Sequence, residues 1–274
     1  MTVILLAMTW LALTIMPNQP AHANDDEAFL VKLEYDSLLY FAGEANSNNG
    51  LIKDSSRPGA PCSVAVVGFG LTALCAAESH GWIAKEQVYA RVLKTLLTFR
   101  DSVPNEHGFF YHFLDMRTGS RAWNSELSSI DTALFLAGAL FAGEYFKGTE
   151  VEIVAREIYD RVDWPWMMNG RPVLCMGWTP ENGFLQHYWD SYSEAMILYA
   201  LAIGSSAHPI PPGAWYEWSR QTADYNGGKL IYCYTGSIFT YQYSHAWIDF
   251  RSLTEKETGA NYFLNSVNAV KANR

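Results

Sequence analysis

Apolar residues recur along this chain at three- and four-residue spacing, the period of a helix that buries one face. Val64, Val67, Leu71, Leu74 and Cys75 make one such stripe, and Val88, Val92, Leu93, Leu96 and Phe99 make the next. The pattern predicts helices over about 27–43, 63–79, 85–101, 128–147, 149–162, 191–204, 241–250 and 255–272. The run Thr132–Phe141 is apolar on nearly every side. Its helix is therefore predicted to be buried, with the N-terminal end held still. Between the second and third helices lies His80-Gly81-Trp82, with Gly81 as a helix stop, and so short a connection makes an antiparallel pair.

The longer connections carry a different pattern. Phe109–Phe113 alternates aromatic residues and turns at Met116-Arg117-Thr118-Gly119, which predicts a small β-hairpin. A second hairpin is predicted from Asn169 to Trp178, and a third from Gly227-Gly228 to Tyr234. Helix pairs joined alternately by short turns and long decorated loops predict an all-α fold of the α/α barrel kind, with its site on the long-loop face. No linker divides the chain, so one domain over 24–274 is expected.

The start of the chain reads differently. Val3–Met16 is an apolar core, and Ala21-His22-Ala23 fits a small-x-small cleavage pattern, so residues 1–23 read as a signal peptide. No Lys or Arg precedes it, a departure from the usual basic start. The apolar run is shorter than the roughly 20 residues a spanning helix needs, and no Cys follows the cleavage site. Export to a bacterial periplasm or beyond, without a stable membrane anchor, is the expectation.

Composition narrows the chemistry. The 274 residues are 49% hydrophobic and 17% charged, enough for a full core. A net charge of −9 argues against a nucleic-acid partner. Cys62, Cys75, Cys175 and Cys233 show no CxxC spacing, so neither zinc nor an obligatory disulfide is expected, and no cofactor motif is present. Aromatic residues reach 15%, and Trp123, Trp178, Trp189, Trp215 and Trp247 lie in polar loops. Aromatic faces stack on the C–H faces of sugars, so this placement favours a carbohydrate ligand.

Acidic residues gather at two helix starts. Trp123-Asn124-Ser125-Glu126-Leu127-Ser128-Ser129-Ile130-Asp131 places Glu126 and Asp131 beside an indole, just before the apolar helix. Trp189-Asp190-Ser191-Tyr192-Ser193-Glu194 repeats the arrangement. Cleavage of a glycosidic bond takes one carboxylic acid to protonate the leaving oxygen and one carboxylate to activate water or attack carbon. Glu194, Glu126, Asp131 and Asp115 are the catalytic candidates. Structural duties compete for some of them. Ser191-x-x-Glu194 and Ser128-x-x-Asp131 both fit a capping box, and a helix start favours an anion in any case. Glu126 precedes its N-cap by two positions, so no helix requirement explains it. Trp123, Tyr111, His112, Trp178, Trp189, Asp190, Tyr192, Gln242 and His245 are candidate substrate contacts, although each aromatic taken singly is as readily a packing residue. His245 and Asp249, four apart, lack a third metal ligand at matching spacing, and no Gly-x-Ser-x-Gly turn supports a nucleophilic serine.

A set of ordered blocks carries a family resemblance. They are Cys62-Ser63-Val64-Ala65-Val66-Val67-Gly68-Phe69-Gly70, Gly108-Phe109-Phe110-Tyr111-His112-Phe113-Leu114-Asp115, Glu126 to Gly138, and Arg161-Val162-Asp163-Trp164-Pro165-Trp166-Met167. Tyr192-Ser193-Glu194-Ala195-Met196, Gly204 to Pro211 and Tyr241 to Arg251 complete the set. With these the chain, over roughly 27–274, resembles the glucoamylase-like family of bacterial α/α-toroid glycoside hydrolases, which includes endo-β-1,2-glucanases and a domain of cyclic β-1,2-glucan synthases. The resemblance implies an all-α (α/α)6 toroid with small hairpins in its long loops. It is an incomplete one, since eight or nine helices are counted against twelve and the family's C-terminal third is missing. It further implies an exported hydrolase of a β-glucan, β-1,2-linked, acting in endo fashion with inversion and with Glu194 as the acid. Transglycosylation, another glucan, or a non-catalytic glucan-binding remnant are the alternatives.

Overall fold

The computed structural model describes residues 25–274, so the signal segment expected over 1–23 lies outside the described residues. The helices are α1 (Asp25–Gly43), α2 (Val64–Ser79), α3 (Lys85–Asp101), α4 (Ser129–Tyr145), α5 (Glu150–Asp160), α6 (Trp164–Met168), α7 (Met196–Gly204), α8 (Ala214–Glu217) and α9 (Tyr262–Asn273). Short strands connect them: β1 (Cys62–Ser63), β2 (Asn105–Glu106), β3 (Phe109–Phe110), β4 (Phe113–Leu114), β5 (Leu127–Ser128), β6 (Gly177–Thr179), β7 (Gly183–Phe184), β8 (Thr222–Tyr225) and β9 (Gly228–Ile231). The fold is mostly helical, and no helix among the described residues is long and apolar enough to cross a membrane.

The centre is the crossing of α2 and α4. A Cβ on Gly138 would lie 2.0 Å from the carbonyl oxygen of Gly68, and one on Gly68 would lie 2.2 Å from that of Leu134. Only glycine lets these backbones approach so closely. Beside the crossing, Phe99 stacks on Phe135 with ring centres 4.0 Å apart, and Phe110 meets both edge-on. α4 is buried along most of its length, as its all-round apolarity predicts. Its first turn is therefore a rigid platform.

The strands tie the loops at the helix starts into a continuous rim. β1 pairs antiparallel with β4, β5 with β6, and Tyr111 bridges Leu127. The expected hairpins are realised in part. The turn at 116–119 forms as expected, with Leu114 opposite Arg121 and Ala122 N–H on the Phe113 carbonyl, but β3 pairs back on β2, with Asn105 opposite Phe110. The second hairpin joins β6 to β7 rather than spanning 169–178, and the third, β8 to β9, turns just before Gly228 and so begins ahead of the expected 227–234. The four cysteines are all buried and free.

Three predicted helices begin or break elsewhere. α7 starts at Met196, not at 191, because Tyr192 N–H donates to the Ser219 carbonyl and Ser191 bridges Ser219 in parallel, holding that segment extended. The predicted helix 241–250 is instead two 3-10 turns, Ile238–Tyr241 and Tyr243–Ala246, separated by Gln242 at φ −118°. The predicted helix 255–272 begins at Tyr262, capped by Asn261, because Glu255 is committed elsewhere. One Glu255 carboxyl oxygen accepts from Trp215 Nε1 at 2.6 Å, Arg220 Nη2 at 2.5 Å and Tyr262 hydroxyl at 2.9 Å. Its side chain is only 2% exposed, so this buried pair knits α8, α9 and the loop between them.

Candidate functional site

The rim places His112, Glu126 and Asp131 together. The backbone of His112 is fixed on both sides: its N–H donates to the Glu126 carbonyl at 2.9 Å, and its own carbonyl accepts from Val64 N–H at 3.1 Å. The imidazole stacks on Phe113 at 3.8 Å. Its Nδ1 lies 3.0 Å from Glu126 Oε1, and its Nε2 lies 3.6 Å from Asp131 Oδ1. Asp131, 7% exposed, also takes the Ser128 hydroxyl at 2.5 Å, while Ser128 Oγ accepts the Asp131 N–H. The capping pattern at α4 is therefore real, and it leaves the other Asp131 oxygen for His112.

Their electrostatics diverge. Burial pushes the Glu126 carboxyl up, but the hydrogen bond and charge of His112, its own N–H and Arg121 outweigh it, so Glu126 sits below the usual range. Burial raises Asp131, against the opposing pull of His112 and Ser128. Burial lowers the His112 imidazole, yet the Glu126 hydrogen bond and the charges of Asp131, Glu126 and Asp54 bring it above its ordinary value. The ligand atoms of the three lie within 4.8 Å of one another, a set that could in principle hold a cation. Both ring nitrogens are already turned to carboxylates, however, one in a hydrogen bond to Glu126 and the other at ion-pair distance from Asp131.

Glu194 comes from the segment before α7. It lines a cleft of about 480 Å³ together with Trp189, Asp190, His187, Arg171 and Tyr234. Burial and the nearby charge of Asp131 both raise its carboxyl, and only its own N–H opposes them. The N-cap position of α7 is Ala195, so the predicted Ser191–Glu194 capping box does not form. Tyr243 stands beside these acids: burial raises its phenol, as do the charges of Glu194, Asp131 and Asp54.

The remaining predicted residues divide. Trp123 is 68% exposed and lies 5.0 Å from the Phe113 ring, on a left-handed backbone at φ 55°. Tyr111 lies under the Arg121 guanidinium, 4.9 Å from its carbon. Trp178 packs 5.8 Å from Trp166. Asp190 is exposed at the cleft. Five assignments need revision. Asp115 is consumed by its own turn, accepting from Arg117 N–H, Thr118 N–H and the Thr118 hydroxyl, and stands outside the acid cluster. Tyr192 is 1% exposed and stacked on Tyr262, leaving no face for a sugar. Trp189 is 9% exposed, with its indole N–H on Ser129 Oγ at 2.9 Å, which makes it the cleft's wall rather than a free platform. Gln242 and His245 line a different, apolar groove with Phe263, Val267 and Val270, where His245 pairs with Ser266. Asp54, Tyr243 and Ser244 were not singled out from sequence as site residues; Tyr243 and Ser244 lie in the Tyr241–Arg251 block, and nothing local marks Asp54.

Comparison with known proteins bears on this arrangement. Residues 186–274 match the family profile Glycoamylase, described as putative glucoamylase. An exo β-1,2-glucooligosaccharide sophorohydrolase acting at the non-reducing end, from Parabacteroides distasonis, is 26% identical over 91% of this chain, which spans 40% of that protein. A putative glucoamylase from Bacteroides uniformis superposes with a TM-score of 0.82 at 23% identity, over 92% of this chain and 66% of its own. An endo-β-1,2-glucanase from Chitinophaga pinensis, solved with sophorotriose and glucose, gives 0.81 at 24% identity over the same shares. These likenesses show the fold, and the match to the glucoamylase-like family profile extends over residues 186–274.

Proposed function

We propose that the chain is a glycoside hydrolase that cleaves a β-glucan, β-1,2-linked, by paired-carboxylate acid–base catalysis. The observation that carries the reading is the opposite displacement of two glutamates that both interact with the charge of Asp131. Glu126 is held charged by His112, and Glu194 is pushed toward its neutral form by burial and by Asp131. Titratable pairs whose environments drive them apart divide the acid and base roles. Glu194 donates its proton to the leaving glycosidic oxygen. Glu126 takes a proton from the attacking water, and His112 fixes that carboxylate through Nδ1. Asp131 holds His112 from the other nitrogen. Inversion is the expected outcome, with water between substrate and base, and the helical hairpins are arcs of an α/α toroid. Export to the periplasm or beyond is part of the proposal.

Endo attack is the mode we favour. The Parabacteroides relative is named for exo release from the non-reducing end, so the product length decides between the two modes. The test is incubation with linear β-1,2-glucan, following new reducing ends and the anomer first formed by proton NMR. A ladder of short oligosaccharides with inverted configuration is expected, a single disaccharide product would move the assignment to exo attack, and retained configuration would displace the inverting scheme. No cleavage by wild type, or full rates in both Glu194→Gln and Glu126→Gln, would overturn the proposal.

A further inference from the structure

The start of α7 is capped from a distance. The first N–H groups of any helix need outside acceptors, and Ala195 at the N-cap position has no side-chain oxygen to offer. Ser244, 50 positions or so downstream and 1% exposed, supplies one: its Oγ accepts the Ile197 N–H at 3.0 Å and donates to the Glu194 carbonyl at 2.8 Å. One hydroxyl thus fills the cap and pins the turn that carries Glu194. Were that cap left open, the nearest acidic side chain to fill it would be Glu194 itself, one residue before the N-cap position. A carboxylate drawn onto the helix start would be stabilised as an anion and turned away from the cleft.

Resting on the reading of Glu194 as the acid, we propose that Ser244 is a positioning residue, which occupies the α7 cap so that the Glu194 carboxyl stays free in the cleft. The groups that face Glu194 are Asp131 from α4 and Tyr243 from the 3-10 turn, and Arg171, His187, Asp190 and Cys233 line the same cleft. None of them offers an oxygen to Ile197. Ser244 acts on the backbone and touches no substrate.

The experiment compares Ser244→Ala, Ser244→Thr and Trp247→Phe in the full chain. Trp247 anchors the C-terminal flank of the same 3-10 turn, through Nε1 to Thr72 Oγ1 at 3.0 Å, and is the control for loosening that element. Two quantities are read: turnover of linear β-1,2-glucan, and the titration of Glu194 in protein labelled with ¹³C at glutamate carboxyls, assigned with Glu194→Gln. In Ser244→Ala the Glu194 midpoint should fall toward the ordinary carboxylate range. kcat should drop on the order of 10- to 100-fold with KM nearly unchanged, the cost of a misplaced group. Ser244→Thr should restore both, and Trp247→Phe should move neither. If Ser244→Ala does not fold, Ser244→Cys weakens both bonds at nearly constant volume and should show the same signs in smaller measure. An unmoved Glu194 midpoint with unchanged kcat would overturn the proposal. If wild type cleaves no glucan, the titration alone decides: a shifted midpoint upholds the role of Ser244 while the hydrolase reading fails, and an unshifted one ends both.

Discussion

The two acid-bearing limbs of the site solve opposite problems. In the limb from Tyr111 to Asp131, Glu126 sits among partners: His112 lies between two carboxylates, Ser128 serves Asp131 and the helix start together, and the charge of Arg121 reaches Glu126. Pairing keeps a partly buried carboxylate charged. In the limb from 186 to 274, Glu194 has no salt-bridge partner among the described residues; its neighbours are a like charge and a phenol, and its helix start is served by a serine from elsewhere in the chain. Withholding partners keeps a carboxyl neutral. The same residue type is thus driven two ways by what surrounds it, which is how one protein can hold an acid and a base at one pH.

Replacing either glutamate breaks this contrast most severely. Glu194→Gln and Glu126→Gln should each lower kcat on β-1,2-glucan by roughly 10²–10⁴-fold with circular dichroism unchanged. They should part in pH dependence. Activity needs Glu126 ionised and Glu194 protonated, so wild type should rise through an acid limb below the usual carboxylate range and fall through an alkaline limb above it. Residual rate should lose its acid limb in the Glu126 variant and its alkaline limb in the Glu194 variant. Identical residual profiles would erase the division of roles.

The second limb has a keystone of its own, far from the chemistry. Glu255 is held low because the Thr258, Arg220, Tyr262 and Trp215 hydrogen bonds outweigh burial. Removing one member of a buried ion pair leaves the other charge unpaired, so Glu255→Ala should cost about 3–5 kcal/mol in urea unfolding. Because the folded-state pKa is depressed, this stabilisation is present at neutral pH and is lost as acidification protonates Glu255. Hydrogen exchange should rise first in α8 and α9 and least in α2 and α4. Uniform loosening would show that the limbs are not separate cooperative units.

The helical fold and Glu126 were legible in the chain for physical reasons. A 3.6-residue apolar period marks a helix wherever no tertiary bond claims its backbone, and a carboxylate with no capping duty beside an indole has few structural uses. Position 194 was legible, but its apparent capping role was not refutable locally, since its substitute lies in Ser244 at the far side of a long loop. Trp189 and Tyr192 misled for the same reason. Both stand among polar residues in sequence, yet the extended tie of Ser191–Tyr192 to Ser219 folds the segment inward, where Ser129 and Tyr262 receive them. Asp54 had no sequence signal at all, because only the fold carries its charge toward His112 and Tyr243.

A smaller change tests how far the first limb depends on its pairing. His112→Gln keeps a neutral donor beside Glu126 and removes the positive charge. The loss of a charge-assisted bond worth about 1.5 kcal/mol should lower kcat roughly tenfold. Its sign is specific: without the imidazolium the Glu126 pKa rises, so the acid limb moves to higher pH while the alkaline limb stays. Movement of the alkaline limb instead would place His112 with Glu194 and dissolve the contrast.

The smallest effect concerns Trp123, where function and stability should separate. A large aromatic 68% exposed on a left-handed backbone is disfavoured twice, by its solvent contact and by its φ of 55°. Asn124 follows at φ 50°, so the loop holds this conformation over two residues and presents the indole beside Phe113, whose ring stacks on His112. Glycine adopts that backbone freely. Trp123→Gly should therefore leave Tm unchanged or slightly raised, the relieved strain offsetting the lost packing on Phe113. If the indole is a sugar platform, its removal should raise KM roughly fivefold, a stacking loss of about 1 kcal/mol, and leave kcat alone. A fall in Tm of several degrees with no change in KM would make Trp123 a packing residue, and the first limb would then meet the substrate through its carboxylates alone.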